Sequence, residues 1–194
     1  MKLASSCVSV AFAMLAPVLA QAAPDTGSPI HPLVGVALTS GGDSLAEVVY
    51  TDGGSRTIKA GNLVQIYAGA EYRAPGSPFA FQGTVGYHFD NVSAQNGSMR
   101  FERYPIELIG LWNASPSIRL GVGARYAAGA RLTSGGAASI GSYDFDSSIA
   151  PLALGEWLIT PHMGLQLRYV HETFKLNGYS FDGSHAGLGF NYYF

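Results

Sequence analysis

The last ten residues of the chain decide its fold: His185-Ala-Gly-Leu-Gly-Phe-Asn-Tyr-Tyr-Phe194. Counting back from the end, alternate positions form an apolar and aromatic set: Phe194, Tyr192, Phe190, Leu188 and Ala186. The positions between them form a smaller and more polar set: Tyr193, Asn191, Gly189, Gly187 and His185. Side chains that alternate with period two point to opposite faces of a β-strand. The segment is therefore predicted to be a strand with two unlike faces.

The same alternation recurs upstream, and it predicts eight antiparallel strands. The other seven segments are about 33–50, 64–73, 79–90, 103–108, 118–127, 143–158 and 163–170. Short connections that contain proline, at 74–78, 113–117 and 159–162, alternate with longer polar ones at 90–100, 129–142 and 175–184. This rhythm indicates a meander with one confined end and one end in open solvent.

Two of these segments are irregular. The first strand contains a glycine-rich kink at 40–43 and is followed by a hairpin turn at 51–55. In the sixth segment Pro151 interrupts the alternation, which leaves the faces of Leu154 and Glu156 unassigned.

The N-terminus reads as an export signal. A short basic start precedes an apolar stretch over 8–20, and a small-x-small cleavage site follows it at Ala20-Gln21-Ala22. We therefore divide the chain into a signal peptide (1–22), an N-terminal lead in the periplasm (23–32) and a β-barrel (33–194). Cys7 is the single cysteine and lies in the signal, so the mature chain is expected to lack disulfides, thiol catalysis and zinc–thiolate sites.

Composition narrows the class of protein. Charged residues make up 12% of the 194 residues, about half of what soluble domains carry, and the formal net charge is −2. This balance excludes a nucleic-acid partner, which would need a basic surplus. After the signal no run of eighteen apolar residues occurs, which argues against a transmembrane helix.

Eight antiparallel strands leave two architectures, a soluble sandwich or a closed barrel. A sandwich would carry many charges on its outer face, whereas the polar faces here carry mostly glycine, amides and a few ions. The apolar faces are rich in aromatic residues near the strand ends, as in the girdles of membrane barrels. The predicted fold is thus all-β, an eight-stranded antiparallel up-and-down transmembrane β-barrel. The predicted girdle consists of Tyr72, Phe79, Tyr104, Trp112, Tyr126, Trp157 and Tyr169.

The signal, the meander and the C-terminal strand together resemble small Gram-negative outer-membrane barrels, the group of the OmpA transmembrane domain, OmpX and the opacity-type proteins. The resemblance covers the mature chain and implies an outer-membrane location. It also implies that Phe190, Tyr192 and Phe194 form the signal read by the barrel-assembly machinery. The expected surroundings are outer-membrane lipids and lipopolysaccharide, and a monomer is expected.

An eight-stranded barrel is only wide enough to be filled by its own side chains. The alternation places a charged set inside: Glu71, Arg73, Arg103, Glu107, Arg119, Arg125 and Arg168. Buried charges should pair with one another, since an isolated one costs several kcal/mol. Gln82, Gln166, Asp90 and Glu172 are assigned to the same interior, and His88 and His185 are expected to bond to its carboxylates. This predicts a plugged lumen and a structural or loop-display role, with a narrow pore for solutes or ions as the alternative.

Evidence for catalysis is weak. His171 and Thr173 share the lipid-facing side with Tyr169, where the outer-membrane lipid A deacylase carries a His-x-Ser pair. Thr173 replaces the serine, Phe174 replaces a following asparagine, and no glutamate lies on the last strand. We therefore expect no enzyme, with lipid A modification as a remote alternative. The five scattered histidines suggest no metal site, and no cofactor is expected. Arg100, Arg131 and Lys175 lie where they would meet lipopolysaccharide phosphates.

Overall fold

A computed structural model describes residues 28–49, 54–73, 75–94, 97–136 and 141–194. The predicted signal peptide, the first half of the N-terminal lead (23–27) and parts of three predicted loops (51–53, 95–96 and 137–140) lie outside the described residues. The strands are β1 (Ile30–Gly41), β2 (Ser44–Val49), β3 (Ser55–Lys59), β4 (Leu63–Arg73), β5 (Phe79–Ala94), β6 (Gly97–Asn113), β7 (Ile118–Gly136), β8 (Tyr143–Asp144), β9 (Ser148–Thr160), β10 (Met163–Val170), β11 (Thr173–Leu176), β12 (Tyr179–Asp182) and β13 (His185–Tyr193).

Eight of these strands close into a barrel. Around it each strand pairs antiparallel with its neighbours in the order β1, β4, β5, β6, β7, β9, β10 and β13, and β13 then pairs with β1. The last strand closes the ring through a register that runs from Leu33 opposite Tyr193 to Gly41 opposite His185. The prediction of an eight-stranded up-and-down barrel is confirmed.

The first predicted strand is divided in two. β1 starts at Ile30, three residues before the predicted barrel boundary at Leu33, and it ends at Gly41. Gly41 and Gly42 take φ values of 145° and 78°, which only glycine adopts without strain. The chain leaves the barrel at this point and forms a separate two-stranded sheet, β2 with β3. The prediction of one strand over 33–50 is therefore wrong, because the chain leaves the barrel at the predicted kink (40–43) instead of continuing through it.

The sixth barrel strand is regular across Pro151. Leu154 and Glu156 both point inward and are buried, whereas Pro151 lies on the exposed outer face. The ladder between β9 and β10 reaches only to Leu152 and Val170, so Pro151 lies just beyond it. A proline is tolerated there because the end of a ladder requires fewer backbone donors.

The segments 90–100 and 129–142, predicted as loops, are largely strand. β6 has 17 residues and β7 has 19, well beyond the ~9–11 that a bilayer requires. The inner side of these extensions is apolar: Met99 and Phe101 are buried on β6, as is Leu132 on β7. The prediction failed because it took polar outer residues as the mark of a loop.

The outer face of β6 records where the surrounding medium changes. From Tyr104 to the periplasmic end of β6 the outward residues are apolar, and Tyr104, Ile106, Leu108 and Trp112 are all exposed. From Glu102 to the extracellular end the outward residues are polar: Glu102, Arg100 and Ser98. An exposed apolar band of this extent would be a liability in water but is required in lipid. The hydrocarbon boundary on this strand therefore lies between Tyr104 and Glu102.

The aromatic residues form two levels on the outer wall. Trp112 and Tyr104 are separated by eight residues on β6, or about 27 Å along the strand. At a strand tilt of about 40° this corresponds to about 21 Å across the membrane, which is close to the ~25 Å apolar band of membrane barrels. The periplasmic level includes Tyr72, Phe79 and Trp157, and all the aromatic residues of the predicted girdle are exposed: Tyr72, Phe79, Tyr104, Trp112, Tyr126, Trp157 and Tyr169. Among the described residues, no helix is long and apolar enough to cross a membrane.

Candidate functional site

A layer of charged side chains fills the periplasmic third of the lumen around Arg119. Its Nη1 donates to Glu71 Oε1 at 2.7 Å, its Nε donates to Glu156 Oε2 at 2.9 Å, and its Nη2 donates to the Tyr193 hydroxyl at 2.6 Å. Nη2 also contacts Glu156 Oε2. Arg73, whose side chain is 32% exposed at the mouth, donates from Nε to Glu71 Oε1 at 2.6 Å. Each buried charge in this layer thus has a partner of opposite sign.

Neutral polar groups complete this layer. The Tyr193 hydroxyl donates to Glu156 Oε1 at 2.7 Å, and Asn191 Nδ2 donates to the same oxygen at 2.8 Å. The Tyr67 hydroxyl donates to Asn191 Oδ1 at 2.6 Å. Because these four side chains bond in series, they hold one another in a single arrangement.

The central layer is organised by one carboxylate oxygen. Glu107 Oε1 accepts from Arg168 Nη2 at 2.6 Å, from Arg125 Nη1 at 3.0 Å and from Gln65 Nε2 at 3.2 Å. The Arg168 guanidinium also lies 5.9 Å from the Tyr67 ring centroid, which links this layer to the one below. Glu107 and its three partners are all buried.

The extracellular layer is built on Glu172, which lies between two arginines. Arg125 Nε lies 3.4 Å from Glu172 Oε1 and Arg103 Nε lies 3.7 Å from Glu172 Oε2, while Ser148 Oγ donates to Oε1 at 3.0 Å. The predicted hydrogen bond between His88 and a carboxylate is not formed. Its Nδ1 is 3.0 Å from Arg125 Nη2, and its Nε2 is 2.9 Å from the Thr39 hydroxyl.

His185 also differs from the prediction, since its Nδ1 is 2.8 Å from the carbonyl of Gly183. Its ring meets that of His88 edge to face at 5.2 Å. The two histidines therefore fill space beside the arginines rather than neutralise them.

Arg103 joins the lumen to an apolar cluster above it. Its guanidinium carbon lies 5.2 Å from the Phe101 ring centroid and 5.5 Å from that of Phe174, and the residue is fully buried. Phe101, Phe145 and Phe174 meet edge to face at 5.5–6.3 Å. We call this cluster the cap; its buried members are Ile58, Ala60, Val92, Met99, Phe101, Ala127, Ala130, Leu132, Phe145 and Phe174.

The cap gathers residues from strands that lie far apart in the sequence. The β2–β3 hairpin contributes Ile58, with Leu45 and Ala46 packed against the cap, and the β11–β12 hairpin contributes Phe174 together with Phe181. The hairpins are tied together where the Asp43 N–H donates to the Asp182 carbonyl at 2.7 Å. The segment 175–184, predicted as a polar loop, is thus mostly this second hairpin, and it closes the extracellular end of the lumen.

The structure brings the predicted charged residues together. Glu71, Arg73, Arg103, Glu107, Arg119, Arg125 and Arg168 all project into the lumen, and each takes part in at least one ion pair. The alternation assigns no face to Glu156, and it assigns Glu172 to the interior only near the loop end. Counting both, the described lumen holds four buried arginines and four buried glutamates, with Asp90 as a further buried acid at the top. Glu156 lies opposite Arg119 in the register between β7 and β9. A search for an acidic cross-strand partner of Arg119 would therefore have placed Glu156 in the lumen.

Gly164 makes room for this network. A Cβ added at this position would lie 2.2 Å from Glu156 Oε1, an atom already fixed by Asn191 and Tyr193. We expect Gly164→Ala to lower the free energy of unfolding by about 1–3 kcal/mol through overpacking, as measured by urea titration in lipid vesicles. Gly155→Ala is the matched control on the outer face, since its Cβ would meet Leu120 at 3.8 Å, an ordinary contact. Equal effects of the two changes would contradict this account.

The predicted catalytic residues do not form a pair. His171 and Thr173 are both exposed on the outer wall as predicted, but His171 Nδ1 bonds to Ser184 Oγ at 3.0 Å. Ser184 Oγ also accepts from the Glu172 N–H at 3.2 Å. This serine therefore links the connection between β12 and β13 to the connection between β10 and β11 at the rim. Among the described residues, no group of three His, Asp or Glu side chains is placed to hold a metal ion.

Two of the three predicted rim cations already have partners. Arg131 donates from Nη2 to Asp144 at 2.9 Å, and this guanidinium holds the pKa of the Asp144 carboxyl below its usual value. Arg100 lies 3.8 Å from Glu102. In the C-terminal strand Tyr192 and Phe194 are exposed and Phe190 is half-buried, and the Tyr192 and Phe194 rings meet at 5.0 Å.

Comparisons with known proteins agree with this architecture. No family model matches the chain, and no curated protein matches it. Among solved structures, it is similar to Ail, the attachment invasion locus protein of Yersinia pestis, in complex with the heparin analogue sucrose octasulfate. That match has a TM-score of 0.54 and 14% identity and covers 85% of this chain and 97% of Ail. Neisserial surface protein A matches with a TM-score of 0.52 and 16% identity, over 86% of this chain and 98% of its own.

At such identities the likeness shows the fold. The closed ring of eight strands and the apolar outer band bounded by aromatic levels agree with it. The protein is an eight-stranded transmembrane β-barrel, with the fold of the small bacterial outer-membrane barrels exemplified by Ail and Neisserial surface protein A.

Proposed function

We propose that this barrel is a non-conducting element of the outer membrane that supports and displays its extracellular hairpins, with a role in membrane integrity or surface interaction. The observation that carries the proposal is the continuity of the filling. Ion pairs fill the lumen at the periplasmic mouth and again from Arg168 to Arg103, Tyr67 links the two sets, and the cap begins directly above Arg103.

The energetics of the lumen favour a fixed plug. Moving Arg119 aside would leave the buried Glu156 without a counter-charge, which costs several kcal/mol, and moving Arg125 would remove one of the two cations from both Glu107 and Glu172. Arg125 illustrates the coupling, because it bonds to Glu107 in the central layer and to Glu172 in the extracellular one. A solute path would therefore require several pairs to break together and the cap to lift.

The cap supports the display role. Its buried aromatic and aliphatic residues give the hairpins a core like that of a small soluble domain, which loops rich in glycine and serine would not have. Tyr143 and Tyr179 are exposed on this platform. Aromatic residues held on rigid strands are common anchors of protein interfaces.

The remaining partners follow from the resemblance. We propose that Phe190, Tyr192 and Phe194 act in biogenesis through the barrel-assembly machinery, that Tyr72, Phe79, Tyr104, Trp112, Tyr126, Trp157 and Tyr169 anchor the barrel in lipid as girdles, and that the protein is a monomer. It is proposed to act without enzymatic chemistry and without a cofactor.

Conductance tests the plug. We expect the purified barrel in a planar bilayer to show no steady discrete openings, because the lumen is filled and capped. A trimeric porin inserted under the same conditions verifies that channels would be seen. Reproducible single-channel steps that persist after repurification would refute the plug and favour the narrow pore.

A further inference from the structure

A groove of about 520 Å³ opens on the outer wall at the extracellular end of β9. Its lower part is formed by Ile149 and Pro151. Its upper part carries the side chains of His171, Thr173 and Lys175, all of them exposed. The groove is thus apolar at one end and polar at the other.

The groove exists because the wall divides at this point. The ladder between β9 and β10 ends at Leu152 and Val170, followed by one bond from the His171 N–H to the Pro151 carbonyl at 3.1 Å. The next bond runs from the Asp146 N–H to the Lys175 carbonyl at 2.9 Å, one residue out of register. A register shift of this kind separates neighbouring strands and re-aims their side chains.

The level of the groove matches the edge of the hydrocarbon layer. Ile149 lies opposite Tyr126 in the register between β7 and β9 and is 80% exposed. Tyr126 belongs to the upper aromatic level, which marks the membrane interface. The apolar end of the groove therefore faces acyl chains, and the polar end faces the headgroup layer.

The polar end carries a cation that has no carboxylate partner. Arg131 and Arg100 are each beside an acid, whereas Lys175 takes part in none of the salt bridges formed by the described residues. The Ser184 bond fixes the His171 imidazole at the same rim. Asp146 also lines the groove, and its carboxylate opposes an anion there.

We propose that this groove binds a phosphorylated lipid headgroup, with the phosphate on Lys175, Thr173 and His171 and an acyl chain over Ile149 and Pro151. Phosphate oxygens bound to proteins accept hydrogen bonds from groups such as the Lys175 ammonium and the Thr173 hydroxyl. The apolar end adds the burial of methylene groups. The proposal concerns the outer wall, so it holds whether or not the lumen conducts.

Native mass spectrometry of the full-length mature protein in detergent tests the site. The probe is a monophosphorylated lipid A, compared with the same lipid after removal of its phosphate, and inorganic phosphate serves as a competitor in large excess. We expect one retained lipid A molecule per barrel, retention at least about tenfold weaker without the phosphate, and no displacement by free phosphate.

Three charge variants distinguish binding in the groove from a general effect of surface charge on lipid retention. Lys175→Gln should weaken retention by about tenfold, whereas Asp146→Asn should strengthen it because an opposing charge is removed. Arg56→Gln removes an exposed extracellular cation outside the groove and should leave retention unchanged. Heat-modifiable gel mobility verifies that each variant is folded.

The other outcomes overturn the proposal. Equal retention of the dephosphorylated lipid would show that acyl contact alone binds it. Displacement by inorganic phosphate would show an anion site that is not specific to lipid. Equal losses in Lys175→Gln and Arg56→Gln would assign the effect to net charge rather than to the groove.

Discussion

Replacing Glu107 with glutamine is expected to lower the free energy of unfolding by about 3–5 kcal/mol. Glu107 Oε1 is the common acceptor of Arg125, Arg168 and Gln65, and all of these side chains are buried. The amide keeps the shape of the side chain but removes the charge that balances two guanidinium groups. Urea titration of the protein folded in phospholipid vesicles, followed by tryptophan fluorescence, measures the change.

Glu102→Gln is the matched control on the same strand. Glu102 lies 3.8 Å from Arg100, and their side chains are 22% and 54% exposed. A pair this open to solvent contributes about 0–1 kcal/mol, and the amide oxygen of glutamine can still accept from the Tyr87 hydroxyl. Adding Arg168→Met to Glu107→Gln should recover part of the loss, because the surplus cation is then gone. If both glutamine variants had equally small effects, the lumen would not be a closed ionic network.

The interior of the membrane-spanning region could be predicted from the sequence because its signal is local. A period of two fixes which side of a strand each residue occupies, and closure of the barrel then brings one side together. Glu71 and Arg119 are far apart in sequence, yet parity alone places both inside, and they meet at 2.7 Å. Their pairing itself could not be derived, since it depends on the stagger of the strands.

The cap was not predicted because the inward and outward faces of a strand exchange their polarity at the membrane surface. On β6 the inward residues change from Glu107 and Arg103 to Phe101 and Met99, while the outward ones change from apolar to charged. Inside the bilayer the outer medium is lipid and the interior holds the ionic network beside an apolar cluster that includes Ile109 and Leu111. Above the bilayer the outer medium is water and the interior is apolar. A search for a reversal of faces along one strand would have found both the membrane boundary and the cap.

Replacing Phe174 with alanine is expected to release the β11–β12 hairpin from the cap. The Phe174 ring is fully buried between Phe101 and Phe145 and covers the Arg103 guanidinium. Removing a buried phenyl ring costs about 3–5 kcal/mol. Local opening of the hairpin should therefore become more frequent by about two orders of magnitude or more. The rate of trypsin cleavage after Lys175, in protein reconstituted with its extracellular face outward, measures that opening.

Tyr179→Ala on the same hairpin separates packing from loop composition. Tyr179 is 74% exposed, so its removal leaves no cavity, and cleavage after Lys175 should proceed at the wild-type rate. The barrel below is held by its own ladders and ion pairs, so Phe174→Ala should still migrate as a folded, heat-modifiable species. Equal cleavage of the two variants would mean that the hairpin does not depend on the buried aromatic cluster. Loss of heat-modifiable mobility in Phe174→Ala would mean instead that cap and barrel unfold as one unit, because the contact of Arg103 with Phe174 would then couple the two cores.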